Sequence, residues 1–135
     1  MSVILLNLLS QLSDPKKEVA LIRKGLNIKT VESYLDKEGF ILKDILIRLD
    51  ISSSTYFAKK KKQEPLDVHS SEKLVRLIQV MVNASRILGE EKAKKWIYLK
   101  IPSLGNELPI NLLDTEAGHQ LVEQTLLQIE HGVYG

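Results

Sequence analysis

A chain of 135 residues that is 44% hydrophobic, 27% charged and 5% aromatic has the make-up of a folded protein of one ordinary domain or two small ones, long enough to build an apolar core without cross-links. The absence of cysteine excludes disulfides, thiolate zinc sites and cysteine nucleophiles, and suits a reducing compartment. The net charge of +2 hides a polarised chain: residues 1–100 hold all 19 Lys and Arg with 12 of the 17 acids, a balance of +7, and residues 101–135 hold the other 5 acids, a balance of −5.

Helical spacing runs through nearly every segment, so the fold class expected is all-α. Met1 to Leu12 is apolar but lacks a basic leader and a small-residue cleavage site, and no run approaches the roughly 18 apolar residues of a membrane span; the chain is expected to be cytoplasmic, with no membrane partner. Ile4, Leu5, Leu8, Leu9 and Leu12 share one face of a first helix. Asp14 and Pro15 predict the start of a second, stopped by Gly25. A third should run from about Thr30 to Glu38 and end at Gly39, and Ile41, Leu42, Ile45, Leu46 and Leu49 form the stripe of a fourth. A longer helix is predicted from Ser70, with Leu74, Leu77, Ile78, Met81, Val82, Ser85 and Leu88 inward and Arg76 and Arg86 among the residues opposite, ending at Gly89. Glu90 to Lys100 carries Ala93, Trp96, Ile97 and Leu99, read as core. Pro102 to Pro109 should be irregular. Asp114 or Thr115 caps a last helix with Gly118, Leu121, Val122, Thr125, Leu126 and Ile129 on one face, and the stretch Gln63 to Asp67 around Pro65 is the expected boundary between residues 1–66 and 67–135.

Residues 41–62 match a helix-turn-helix pattern. Ile45, Leu46 and Leu49 would face inward from the first helix, Asp50 would take the left-handed turn position, Ile51 and Tyr56 would close the core, and Ser52 or Ser53 would cap the second helix. That arrangement offers Ser53, Ser54 and Thr55 to bases or phosphates and the run Lys59, Lys60, Lys61 and Lys62 to phosphates. An ordinary helix corner with a solvated lysine face fits the same residues.

The stretch Leu66 to Leu77, then Ala84 to Gly89, Ala93 with Trp96 and Ile97, Leu104-Gly105 to Pro109, Leu113 to Gly118, and the ending Ile129-Glu130-His131-Gly132-Val133-Tyr134-Gly135 resemble the antitoxins of the Xre, MbcA and ParS group, in order and over about two-thirds of the chain. The resemblance implies an Xre-like DNA-binding domain followed by a helical toxin-binding domain. It implies a type II antitoxin, a homodimer, that covers the active-site mouth of a RES-type, NAD-consuming or ADP-ribosyltransferase-like toxin and binds operator DNA to repress its own operon. The sequence departs from the family pattern at Lys59, Lys60 and Lys73, where arginine is usual, and at His131, where tyrosine is more common. Residues 1–39 match no motif and are expected to complete the N-terminal domain or to make a dimer contact through the first helix.

For toxin binding the candidates are Glu116, Glu123 and Glu130, on a segment without compensating Lys or Arg, followed by His131, Val133, Tyr134 and Gly135. Val133 and Tyr134 would either anchor in the toxin or pack back on Trp96. His69, His119 and His131 are too scattered for a metal site, and His119 with Glu123 reads as a solvated surface pair. Gly118 is expected to pack against the 70–88 helix, with toxin contact as the second reading. With no phosphate-cradling glycine loop and no nucleophile beside a histidine, neither catalysis nor a cofactor is expected. The competing function is a stand-alone helix-turn-helix repressor without a toxin.

Overall fold

Short polar residues and glycines place the helix ends. In the computed structural model, which describes residues 3–132 and the side chains of 5–132, the helices are α1 (Val3–Leu12), α2 (Pro15–Lys24), α3 (Ile28–Glu38), α4 (Leu42–Arg48), α5 (Ser53–Lys61), α6 (Val68–Leu88), α7 (Glu90–Trp96) and α8 (Glu116–Glu130), with 3-10 turns at Pro102–Leu104 and Pro109–Leu112. No strand occurs among the described residues, only an isolated antiparallel bridge of Ile101 with Glu107, so the fold is all-α as expected. Asp14 caps α2, accepting from the Lys16 N–H at 3.0 Å. Asn27 caps α3 through the Thr30 N–H at 3.1 Å, so α3 starts two residues before the expected Thr30. Thr115 caps α8, accepting from the Gly118 N–H at 3.0 Å.

Two compact units divide the chain, Met1–Val75 and Arg76–Gly135, and the division falls within α6. In the first unit Leu5, Leu8, Leu26, Val31, Leu35, Ile45, Leu46, Leu49, Tyr56, Leu66 and Leu74 are buried. The stretch around Pro65 is bound into this unit. The Leu66 N–H donates to the Leu26 carbonyl at 3.0 Å, and the Leu26 N–H donates to the Oγ of the fully buried Ser71 at 3.0 Å. Both buried polar groups are thereby satisfied.

Asp67 starts α6 by accepting from the Ser70 N–H at 3.1 Å, two residues earlier than the sequence reading placed it. Burial works against ionisation of Asp67, but the hydrogen bonds from Ser70 outweigh it and hold the carboxyl below its ordinary value. A depressed carboxyl contributes stability that is complete above roughly pH 4 and fades as pH falls through the folded value. Asp67→Ala should therefore cost about 1 kcal/mol at neutral pH. In urea titrations across pH 2–7 the gap from the parent chain should close on the acid side; a gap independent of pH would show that the carboxylate is not the capping group.

In the second unit the buried side chains include Leu77, Ile78, Val80, Met81, Ala84, Ala93, Trp96, Ile97, Ile110, Leu113, Val122 and Leu126. Trp96 and Ala93 are core, as expected, but Leu99 is 52% exposed, because α7 ends at Trp96 and the helical spacing no longer applies beyond it. Val82 and Leu121 are also about half exposed. Each lies one residue, about 100° of helix rotation, from a buried neighbour, Met81 or Val122, and so sits on the shoulder of its stripe. The nearest neighbour of Gly118 is the chain before its own helix, where the sequence predicts α6: a Cβ placed there would lie 1.9 Å from the Leu112 carbonyl oxygen.

Candidate functional site

The first candidate surface is built on α4 and α5. Ile45, Leu46 and Leu49 are fully buried and leave no freedom in the packing of α4, and the chain then reverses through Asp50, whose φ is +55°. The Ile51 N–H donates to the Leu46 carbonyl at 2.8 Å, with Ile51 and Tyr56 buried behind it. Ser52 caps α5 by accepting from the Thr55 N–H at 3.2 Å. Ser53, Ser54 and Thr55 are exposed on the first turn of α5, and the Ser54 hydroxyl lies 3.1 Å from that of Ser52.

Two residues outside this segment hold it in place, and local spacing gave no sign of either. The Lys73 ammonium donates to the Asp50 carbonyl at 2.8 Å, so the lysine standing where the family favours arginine ties α6 to the left-handed turn. From α3, Glu32 accepts from the Tyr56 hydroxyl at 2.8 Å and lies 3.0 Å from the Lys60 ammonium. Burial, reinforced by this bond to Glu32, pushes the Tyr56 phenol far above its ordinary range. The lysine run is thus unequal. Lys59 pairs with Glu64 at 3.4 Å and Lys60 with Glu32, whereas Lys61 and Lys62 are exposed.

The second candidate surface is α8, and its carboxylates are compensated from α6. Arg76 Nε lies 3.3 Å from Glu116 Oε2, and Arg76 Nη1 also donates to the Leu113 carbonyl at 3.4 Å. Asn83 Nδ2 donates to Glu123 Oε2 at 2.6 Å, and Arg86 pairs with Glu130. The partners follow the same order along both helices, which makes α6 and α8 parallel. The Arg86 hydrogen bond holds the Glu130 carboxyl below its usual range. Arg76 and Arg86, which the spacing places opposite the apolar stripe, are the counter-charges that the acidic segment lacks within its own sequence.

His119 corrects a second expectation. Its side chain is 13% exposed, with Nδ1 3.7 Å from Glu116 Oε2 and Nε2 3.6 Å from Glu123 Oε1. Both ring nitrogens and Glu123 Oε1 are buried without a hydrogen-bond partner, so this is a half-buried contact held under the α6–α8 pairs and not a solvated pair. His131 is exposed at the end of α8, its N–H donating to the Leu127 carbonyl at 3.0 Å. Val133, Tyr134 and Gly135 lie outside the described residues. Among the described residues no His, Asp or Glu group has the arrangement of a metal site, and no helix is long and apolar enough to cross a membrane.

Residues 84–132, from the later turns of α6 to the end of α8, match the model of the antitoxin Xre/MbcA/ParS C-terminal toxin-binding domain. Over 132 residues the chain is 24% identical to a "Prs ADP-ribosylating antitoxin" of Sphingobium sp. strain YBL2, covering 90% of this chain and 83% of the relative. It is 28% identical over 116 residues to an "Antitoxin Xre" of Photorhabdus laumondii, covering 84% and 78%, and 33% identical over 82 residues to an "Antitoxin Xre" of Pseudomonas putida, covering 60% and 51%. All three relatives are named as antitoxins. The domain match and the similarity across both compact units agree with the all-α architecture and with the motifs running from Leu66 to Gly135: the chain is similar to antitoxins of the Xre/MbcA/ParS family and carries the pattern of their C-terminal toxin-binding domain over residues 84–132.

Proposed function

We propose that the chain is an antitoxin that neutralises a RES-type, NAD-consuming toxin by covering its active-site mouth with residues 116–135, and that it represses its own operon by binding operator DNA as a homodimer in the cytoplasm. The observation that carries the reading is that α8, with its exposed Glu116, Leu121 and Leu127, lies inside the stretch matched to a toxin-binding domain. The name of the Sphingobium relative couples an antitoxin with ADP-ribosylation, which supports a toxin of the ADP-ribosyltransferase-like kind.

For operator binding, the α4–turn–α5 geometry supports a helix-turn-helix: a left-handed residue at the turn, a buried crossing and three exposed hydroxyl residues on the first turn of the second helix. Dimerisation would match a palindromic site with two such units. The unequal lysine run decides which phosphate contacts matter. Lys59 and Lys60 each leave a carboxylate to meet DNA, whereas Lys61 and Lys62 give up only water and counterions. Replacing Lys61 and Lys62 together by alanine should lower affinity for a fragment of the gene's own promoter and reduce the salt slope by about two units, with a smaller effect from Lys59→Ala. Fluorescence anisotropy at several salt concentrations reads both quantities. An unchanged slope in the double variant would place the DNA surface elsewhere.

A further inference from the structure

Beside the proposed operator surface, with which it shares Lys60, the first unit holds an open cleft of about 950 Å³ lined by lysines from separate elements: Lys17 and Lys24 of α2, Lys29 at the start of α3, and Lys60 near the end of α5. One carboxylate lines it, that of Glu64, and it is held by Lys59. Lys60 is engaged by Glu32, while no ion pair of Lys17, Lys24 or Lys29 occurs among the described residues. Three lysines without an ion pair among the described residues therefore line the recess, against one carboxylate. Asn27 and Ile28 at the start of α3 line the same space; the Thr30 N–H is taken by the Asn27 cap, and the N–H groups before it have no intrahelical acceptor and carry the helix's positive end. Lysines and a helix start together suit an anion with several phosphate oxygens.

The rest of the lining narrows the ligand. The volume lies at the upper end of the roughly 300–1,000 Å³ of small-molecule sites, far more than one inorganic phosphate fills. Leu21 and Pro65 supply apolar surface, and the carboxamides of Asn7, Gln11 and Gln63 supply donors and acceptors of the kind that read the edge of a base. Lys60 lies seven residues, about 10 Å of helix rise, beyond Ser53, so the recess adjoins the far end of the α5 surface and not its hydroxyls. We propose that this cleft binds a nucleoside di- or triphosphate, its phosphates on Lys24, Lys29 and the start of α3 and its base against the carboxamides.

Isothermal titration of the full chain with ATP, ADP, adenosine and inorganic pyrophosphate at 0.15 M salt tests the assignment. ATP and ADP should bind saturably, one per chain, adenosine should not bind detectably, and pyrophosphate should bind more weakly than ATP. The double variant Lys24→Ala with Lys29→Ala should weaken ATP binding about tenfold or more at an unchanged thermal midpoint, and Lys95→Ala with Lys100→Ala in the other unit should leave it unaltered. Absence of saturable binding, equal weakening by the two double variants, or pyrophosphate binding as tight as ATP would each overturn the proposal. If ATP does not bind and the Lys24 and Lys29 variant instead loses affinity for operator DNA, the cleft belongs to the DNA surface and the proposal fails.

Discussion

Gly118→Ala should destabilise the Arg76–Gly135 unit by about 2–4 kcal/mol, against the gain that alanine normally brings to a helix. Within α8 alone, glycine costs roughly 1 kcal/mol relative to alanine, so on propensity the substitution would stabilise. Its surroundings reverse the sign. The added Cβ would lie 1.9 Å from the Leu112 carbonyl oxygen and 2.8 Å from its carbon, both backbone atoms of the 3-10 turn that crosses the start of α8. Relief by movement of α8 would strain the Thr115 cap, in which the Gly118 N–H itself is the donor, and would disturb the Arg76 contacts to Leu113 and Glu116. Urea denaturation measures the loss directly, and toxin neutralisation at 37 °C should fall with the folded fraction. A midpoint equal to or above that of the parent would mean that the 109–112 turn does not press on α8.

Gly25→Ala carries two penalties in the other unit, and an expected cost of about 3–5 kcal/mol. The residue sits at φ +93°, where an L side chain is strained. Its Cβ would also lie 2.1 Å from the Leu66 carbonyl oxygen. Pushing Leu66 away breaks its hydrogen bond to the Leu26 carbonyl and disturbs the buried bond from the Leu26 N–H to Ser71, leaving polar groups unsatisfied where water cannot replace them. Circular dichroism melts should show the loss, and operator binding should weaken in parallel with it. Full stability in this variant would contradict the close crossing of the two segments.

Both glycines illustrate what the chain discloses and what it conceals. Gly25 reads as a helix stop and Asp14, Thr115 and Ser52 or Ser53 as caps because those effects act within four residues. That Gly25 also lies against Leu66, 41 positions away, is a matter of tertiary packing and has no local signal. Asp50 is legible as the turn residue, since a short polar side chain tolerates a positive φ, but its carbonyl bond to Lys73 and the Glu32 bonds to Tyr56 and Lys60 are not. The acidic character of α8 is plain from composition. Its neutralisation by Arg76 and Arg86 depends on α6 and α8 running parallel in one particular register, which the two stripes alone do not specify, and the same register turns His119 inward. Val82, Leu99 and Leu121 mark the limit of periodicity, which places a residue on a stripe without saying how wide the stripe's covered part is.

The central claim, that residues 116–135 close a toxin's active site, is tested most directly on the toxin's own turnover. The product of a reading frame adjoining the gene, of RES-toxin kind, is assayed for NAD consumption while the full chain is titrated in, and again with a chain lacking residues 133–135. The account predicts that the full chain abolishes turnover, and that the shortened chain keeps its thermal midpoint and operator affinity but leaves turnover largely intact, as an aromatic and aliphatic anchor at the tip would require. Turnover that is unchanged at saturating amounts of folded full-length chain would contradict it.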